Sequence, residues 1–163
     1  MSMKNKELEH LLQKYFKAPQ QLKEKLKSID TNQLSFKSSE RSWSVREVII
    51  HLADSEVNAF LRYRTIIAEP FRETYVVDEW KWSQELKYQV QDITHYLDLF
   101  ESLRLITYHQ LLLCTDADWD KYVKHSYLGE ITLKKWLKIY VEHFEQHMKQ
   151  IDKVLSQTTF DVK

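Results

Sequence analysis

The segment that decides the fold is WSVREVIIHLADSE, residues 43–56. Ser44 stands three residues before Glu47, a spacing typical of a capping box, in which each side chain binds the backbone N–H of the other residue at the start of a helix. Apolar residues then follow at helical spacing, and Pro70 cannot continue a helix. The sequence therefore predicts a helix from Val45 to about Ala68.

Three further segments have apolar residues at three- and four-residue spacings. They are about 6–27, which we expect Pro19 to kink or break, about 90–113, and the segment that follows Thr132 as an N-cap and runs to about Ser156. Glycine occurs once and proline twice in 163 residues, so a sheet-rich fold is not expected and the glycine-rich phosphate loops of nucleotide enzymes are excluded. We predict one all-α domain over residues 1–163, a four-helix bundle with long crossover connections and a topology that is not plain up-down-up-down.

The sequence also predicts features of two connections and of the third helix. The aromatic-rich segment 71–87 is expected to pack on the bundle as a lid or crossover, and Gly129 is expected in a turn. On the third helix we expect an apolar side formed by Ile93, Tyr96, Leu97, Phe100, Leu103 and Ile106.

The charge balance argues against two classes of partner. The chain has 24 Lys and Arg against 24 Asp and Glu, so no excess of positive charge is available to neutralise a nucleic-acid backbone. No apolar run approaches the length of a membrane span. The single cysteine, Cys114, lies among leucines and is expected to be a buried thiol, which fits a reducing cytoplasm. We therefore expect a cytoplasmic protein without a nucleic-acid or membrane partner.

Two of the seven histidines, His143 and His147, stand four residues apart on the last predicted helix. This spacing puts both imidazoles on one face and suits two nitrogen ligands of one metal ion. A helical wheel places them beside the apolar stripe, whereas Glu145 faces solvent. Glu145 is two residues after His143, and the zincin motif requires one, so a zincin is excluded. Two hydrogen-bonded core histidines without a metal remain the alternative.

A narrow polar stripe interrupts the mostly apolar helix that begins at Val45. Such a stripe indicates a wet or ligand-binding cavity, or else a solvent-facing strip. His51 in this stripe would complete a three-histidine set, and three protein ligands leave a position open for water or substrate, as in catalytic sites. The other histidines, His10, His95, His109 and His125, are expected at the surface or behind the ligands. The stripe consists of Glu47, His51, Ser55, Asn58 and Arg62, with Asp54 at its edge.

Three parts of the sequence form one further pattern, namely segment 43–56, then Pro70, Tyr75 and Trp80, and then GEITL at 129–133 followed by YVEHFEQH at 140–147. In this pattern the chain resembles the DinB-like superfamily, in particular its YfiT-like branch of metal-dependent hydrolases. Its specific part is a helical histidine followed by H-x-x-x-H. The resemblance implies a four-helix bundle of unusual connectivity, a divalent metal ion (zinc or nickel) bound by His51, His143 and His147, and frequent dimerisation, here as a homodimer. Relatives include thiol S-transferases that use a low-molecular-weight thiol such as bacillithiol, mycothiol or glutathione.

The leading hypothesis is a metal-dependent enzyme that acts on a small molecule by hydrolysis or thiol S-transfer. No residue is assigned as the catalytic base. Glu47 and Asp54 are expected to orient a metal ligand, and Arg62 to meet an anionic part of a substrate or to form a surface salt bridge. Ser55, Asn58 and Tyr140 are further candidates for contacts with the ligands or substrate. The alternatives are a stress-related, non-catalytic metal-binding or interaction module with a structural metal, and a DNA-binding damage-response protein, which the neutral charge disfavours.

Overall fold

The computed structural model describes residues 3–74 and 76–158, and it is mainly helical. Four long helices form the predicted bundle, and a small sheet joins two of their connections. Within the described residues, none of the helices combines the length and apolar composition that a bilayer crossing requires. The helices are α1 (Met3–Leu26), α2 (Thr31–Ser35), α3 (Val45–Ala68), α4 (Glu79–Glu85), α5 (Thr94–Leu112), α6 (Asp116–Trp119) and α7 (Leu133–Thr158), with a 3-10 turn at Tyr88–Val90.

The order of the four long helices around the bundle differs from their order in the chain. The main contacts join α1 to α5 and α7, and α3 to the same two helices. Going round the bundle the order is therefore α1, α5, α3, α7, so that α1 and α3 lie diagonally opposite each other. In a plain up-down-up-down bundle consecutive helices are neighbours, and the prediction of a different topology is confirmed.

Helix α3 begins where the capping box of Ser44 and Glu47 predicts. The Ser44 side chain accepts a hydrogen bond from the Glu47 N–H at 3.2 Å, and Glu47 Oε2 accepts one from the Ser44 N–H at 2.8 Å. The helix ends one residue before Glu69, which precedes Pro70. By contrast, α1 runs without a break through Pro19, because the buried neighbours Ala18 and Leu22 hold it against the core.

A three-stranded sheet and the short helices α2, α4 and α6 are parts of the fold that the sequence did not predict. β1 (Glu73–Thr74) runs parallel to β2 (Tyr122–His125), which pairs antiparallel with β3 (Gly129–Thr132). Gly129 opens β3 with a φ of 69°, in the turn where it was expected. Strands of two to four residues are too short for an alternating pattern to be recognised. The sheet ties the crossover to the chain just before α7.

The buried face of α5 differs from the predicted one. The helix begins at Thr94 rather than near residue 90, and Ile106, expected on the apolar side, is 50% exposed. Cys114 is only partly buried, and burial raises the pKa of its thiol. The face is shifted because a charged side chain, Arg104, lies at its centre. Its buried residues are Phe100, Arg104, Thr107 and Leu111.

Arg104 forms an ion pair inside the bundle. Its Nε donates to Glu56 Oε2 at 2.7 Å, and both side chains are 1% exposed. The Tyr15 hydroxyl donates to the other Glu56 oxygen. A second Arg104 nitrogen donates to the backbone carbonyl of Tyr140 at 3.1 Å. One buried network therefore joins all four long helices, and buried charges of this kind are tolerated only when they are paired.

We expect Glu56→Gln to lower the free energy of unfolding by about 3–5 kcal/mol, because it leaves the Arg104 charge buried and unpaired. Urea denaturation followed by circular dichroism measures this loss. Glu24→Gln is the matched control, since among the described residues Glu24 forms one ion pair, with Lys27 at the surface, and the loss of that pair is worth about 0–1 kcal/mol. Equal losses in the two variants would contradict the structural role of the buried pair.

Candidate metal centre

The three histidines singled out in the sequence converge where α3 packs against α7. His51 Nε2 lies 3.0 Å from His143 Nε2, and His147 Nε2 lies 3.1 Å from the same atom. One ligand atom from each residue lies within 4.8 Å of the others. Among the described residues, 3–74 and 76–158, no other group of three or more potential metal-ligating side chains comes this close together.

The donor set fits a divalent metal ion. A neutral imidazole nitrogen carries either one proton or one lone pair, so His143 Nε2 cannot satisfy both neighbouring nitrogens by hydrogen bonding. Zinc–nitrogen bonds of about 2.0–2.1 Å in tetrahedral geometry place neighbouring ligand nitrogens roughly 3.3–3.4 Å apart, a few tenths of an ångström more than the observed 3.0 and 3.1 Å. His147 Nδ1 lies 2.8 Å from the Gln150 side-chain oxygen, which can only accept a hydrogen bond. Nδ1 therefore carries the proton, and the lone pair of Nε2 faces the other two rings.

Burial keeps these imidazoles neutral, which is the form that binds a metal. Desolvation lowers the pKa of His51 to about 3, with repulsion from His147 as a second cause. Desolvation, followed by repulsion from His147, His51 and Arg104, lowers the pKa of His143 to about 2. Desolvation also lowers the pKa of His147. The Trp43 ring packs 4.8 Å from the His51 ring and lies nearly parallel to His147 at 6.2 Å, covering this side of the set.

Two cavities meet the histidine set. The inner cavity, of about 190 Å³, includes His51 and His143 in its wall, and the outer cavity, of about 420 Å³, includes His147. Glu79, at the first position of α4, lines both cavities. The metal position would therefore be accessible from two sides rather than enclosed by protein ligands.

Five candidates from the sequence line the inner cavity, namely Asp54, Ser55, Asn58, Arg62 and Tyr140. The polar stripe of α3 thus faces a cavity and not bulk solvent. Arg62 donates to the Tyr140 hydroxyl at 2.8 Å and to Thr74 Oγ1 at 3.1 Å. Burial raises the pKa of Tyr140 to about 12, so its hydroxyl stays protonated. Burial raises the pKa of Asp54, which accepts a hydrogen bond from Tyr88.

Glu47 lies elsewhere, and the expectation that it orients a metal ligand is wrong. Its carboxylate binds the Ser44 N–H within the capping box and accepts a hydrogen bond from Lys37 Nζ at 3.1 Å. It lines neither cavity. Helical periodicity alone placed it in the stripe, whereas the cap at the start of α3 fixes its actual direction.

The remaining histidines divide into two groups. His10, His95 and His109 are exposed, as expected. His125 lies on β2 and lines the inner cavity, with its ring 6.1 Å from that of Trp136. The sequence did not indicate this position because the strand that carries it was not predicted.

Glu79 is a further residue at the site that the sequence reasoning missed. Its Oε2 atom lies 3.8 Å from His51 Nε2, and burial raises the pKa of its carboxyl. Asp78 caps α4 by accepting a hydrogen bond from the Lys81 N–H, which sets the direction in which Glu79 leaves the helix. An acidic pair before two tryptophans, Trp80 and Trp82, was the available signal, and acidic residues at the start of a helix are common.

Comparison with known proteins shows the family of this chain. Residues 15–151 match the model of the DinB superfamily. The chain belongs to the DinB superfamily. A protein of Oceanobacillus iheyensis named "putative metal-dependent hydrolase" is 31% identical over 133 residues, covering 82% of this chain and 77% of that protein. YfiT of Bacillus subtilis, which carries the same description, is 29% identical and covers 82% of this chain and 75% of its own.

Two solved structures agree with the fold. The structure of Bacillus subtilis YfiT, described as a probable metal-dependent hydrolase with an unusual four-helix bundle topology, superimposes with a TM-score of 0.88 at 25% identity. It covers 98% of this chain and 90% of that one. A mycothiol-dependent maleylpyruvate isomerase shares the fold with a TM-score of 0.70 at 14% identity, over 88% of this chain and 60% of that one.

We expect His147→Ala to abolish metal retention while most helical content remains, because two nitrogen ligands hold a divalent ion far less tightly than three. Elemental analysis of purified protein, together with far-ultraviolet circular dichroism, measures both quantities.

Glu145→Ala is the matched control on the same helix. Glu145 lies on the far side of α7, where it pairs with Lys14 at 2.8 Å and is 43% exposed. This control should keep both its metal and its activity. Unchanged metal content in His147→Ala would refute the three-histidine assignment, and loss of activity in Glu145→Ala would show that the α7 face is assigned incorrectly.

Proposed function

We propose that this protein is a metal-dependent enzyme that uses its three-histidine site for hydrolysis or thiol S-transfer on a small molecule. The observation that carries the proposal is the convergence of three neutral imidazoles, from His51, His143 and His147, at the junction of two cavities. A structural metal site encloses its ion with four protein ligands, and no fourth side chain joins this set among the described residues.

The ion itself would be zinc or nickel. When bound, it would withdraw charge from a water or a thiol in the open position and so favour the hydroxide or thiolate form. His51, His143 and His147 would hold it, and Gln150 would keep His147 in the required tautomer.

The chain's other polar groups would position the reactants. The Glu79 carboxylate lies on the open side of His51 and can accept a hydrogen bond from a nucleophile there. In the inner cavity, Arg62 and Asn58 offer donors, and the Tyr140 hydroxyl is held in place by Arg62. Asp54, fixed by Tyr88, lines the same wall.

Two chemistries remain within this proposal. The names of the sequence relatives support hydrolysis. A thiol cofactor such as bacillithiol supplies the other chemistry, and the mycothiol-dependent isomerase with this fold supports it by analogy only. The discriminating experiment assays the metal-loaded protein against ester, amide and electrophilic substrates, with and without bacillithiol, mycothiol or glutathione. Turnover without any thiol establishes hydrolysis, and turnover that requires one establishes transfer.

The alternative function is a non-catalytic module with a structural metal. It would show metal-dependent stability without turnover in any of these assays. The cavities beside the histidine set favour the enzyme, because a structural ion requires no access from solvent.

The proposal also includes the setting in which the enzyme works. We place it in the cytoplasm as a homodimer, without nucleic-acid or membrane partners. The balance of 24 basic and 24 acidic residues supports the first exclusion. Exposed apolar side chains along α5, such as Leu105, Ile106 and Leu112, offer a face that a second copy would cover.

We expect Glu79→Gln to lower the turnover rate about 10–100-fold with the metal content unchanged, since the amide is a weaker acceptor than the carboxylate. Steady-state kinetics and elemental analysis on the same preparations measure both quantities. Glu85→Gln, at the other end of α4 and outside both cavities, is the control and should behave as the parent protein. Equal activity of Glu79→Gln and the parent would remove Glu79 from the site.

A further inference from the structure

A side chain closes the turn between β2 and β3. His125 stands opposite Gly129 in the register of the two strands, so the turn consists of residues 126–128. The backbone N–H groups of Tyr127 and Leu128 both donate to His125 Nδ1, at 3.2 Å each. Asparagine and aspartate side chains close turns in the same way, by accepting backbone N–H groups two or three residues further on. An imidazole nitrogen takes that role in this protein.

These two hydrogen bonds determine where the His125 proton lies. In a neutral imidazole one nitrogen donates and the other accepts, and Nδ1 is the acceptor here. The proton of the neutral ring is therefore on Nε2. An imidazolium carries a proton on each nitrogen, so it cannot accept from the turn. The turn is thus held by the neutral form of His125 and released by the charged form.

The β2–β3 turn lies at the inner cavity. His125 points to the same face of the sheet as the buried Val123, two residues earlier, and lines the cavity together with Leu128 and Trp136. The ring centres of His125 and Trp136 are 6.1 Å apart. Leu128 is 55% exposed and Trp136 is 3% exposed, so Leu128 lies at the cavity mouth and Trp136 in its interior.

We propose that His125 is a positioning residue whose neutral imidazole holds the β2–β3 turn over the inner cavity and so controls entry to the histidine set from this side. When Nδ1 accepts both turn N–H groups, Leu128 stays at the cavity mouth. When it does not, the turn opens locally. The inference rests on the proposed function in one respect, since entry matters for the reaction if a reactant uses the inner cavity to reach the metal position.

The neighbouring strands leave the His125 ring uncharged surroundings. The residues opposite it in the sheet are Thr74 of β1 and Gly129 of β3. From α7 it meets the indole of Trp136. The charged residues of the sheet form the adjacent row, which points to the opposite face. That row consists of Glu73, Lys124 and Glu130.

The helices around the inner cavity favour the neutral ring. Desolvation, followed by repulsion from Arg62 of α3, lowers the pKa of His125 from its ordinary value of 6.5. Two carboxyl groups that line the same cavity, Asp54 and Glu79, would raise this pKa if they dominated, yet the net shift is downward. The turn is therefore held above about pH 6.5, and its two hydrogen bonds are lost as the pH falls through the lowered pKa of His125.

The test compares His125→Phe with His125→Asn. Phenylalanine keeps an aromatic ring and removes the acceptor, whereas asparagine carries its Oδ1 atom on Cγ, where histidine carries Nδ1, and has no charged form. Nuclear magnetic resonance of the ¹⁵N-labelled protein as purified measures the protection of three N–H groups against exchange with water. They are the amides of Tyr127 and Leu128 and the indole of Trp136, which is assigned with Trp136→Phe. The indole reports solvent entry directly, because Trp136 Nε1 is buried without a hydrogen-bond partner among the described residues.

We expect His125→Phe to lower the protection of all three groups about three- to tenfold, and His125→Asn to keep it. Lowering the pH from about 7.5 to about 5 should have the effect of His125→Phe on the parent protein and leave His125→Asn unchanged. This second comparison needs no destabilised variant. The three metal-binding histidines are the same in both proteins, so a difference in acid response belongs to His125.

Two controls separate the turn from the rest of the fold. His109→Phe replaces an exposed histidine on α5 and should behave as the parent. The indole of Trp119, which is buried but outside both cavities, should keep its protection in every variant. Unchanged protection in His125→Phe, loss of protection in His125→Asn, or an acid response shared by parent and His125→Asn would overturn the inference. Metal content measured on the same samples tests the proposed function separately, because His125 is not one of the three metal-binding histidines.

Discussion

The buried ion pair between Glu56 and Arg104 is the interaction on which the arrangement of the helices depends. Each partner alone would be a charge in an apolar bundle, so α3 and α5 must present the two side chains to each other. Tyr15 of α1 and the carbonyl of Tyr140 in α7 complete the hydrogen bonding. A rotation of any one of the four helices would leave a buried charge without a partner. The pair therefore selects one packing among the many that apolar contacts alone would allow.

Tyr140 links the buried ion pair to the three-histidine site. Arg104 binds its backbone carbonyl from the core side, and Arg62 donates to its hydroxyl from the inner cavity. His143 follows Tyr140 by three residues, less than one helical turn. The Arg104 charge also helps to lower the pKa of His143. The core network thus fixes the rotation of α7, and it favours the neutral imidazole that a metal requires.

Sequence reasoning succeeded where one local pattern determines the structure. The capping box at Ser44 and Glu47 defined the start of α3, and the four-residue spacing of His143 and His147 put both rings on one face. It failed where the partner is distant in the chain. Arg104 puts a charge at the centre of the buried face of α5. Its burial is explained by its pairing with Glu56, which is 48 residues away in the chain. Glu79 and His125 reach the cavities through a short helix and a short strand, whose placement depends on the β1–β2 pairing.

The helices carry the three histidines, whereas the connections contribute much of the cavity walls. This arrangement explains how proteins with different names can share one fold. The three histidines stand on α3 and α7, whose packing the buried network fixes, so the ligand geometry is insensitive to changes in the connections. About half of the remaining cavity-lining residues come from the connecting segments, among them Arg41, Trp80, Val76 and His125. Connections tolerate substitution and insertion more readily than the elements they join. The mycothiol-dependent isomerase shares the fold over 88% of this chain although only 14% of the residues are identical. The reactants of this protein must be identified from the side chains that its own connections place beside the histidines.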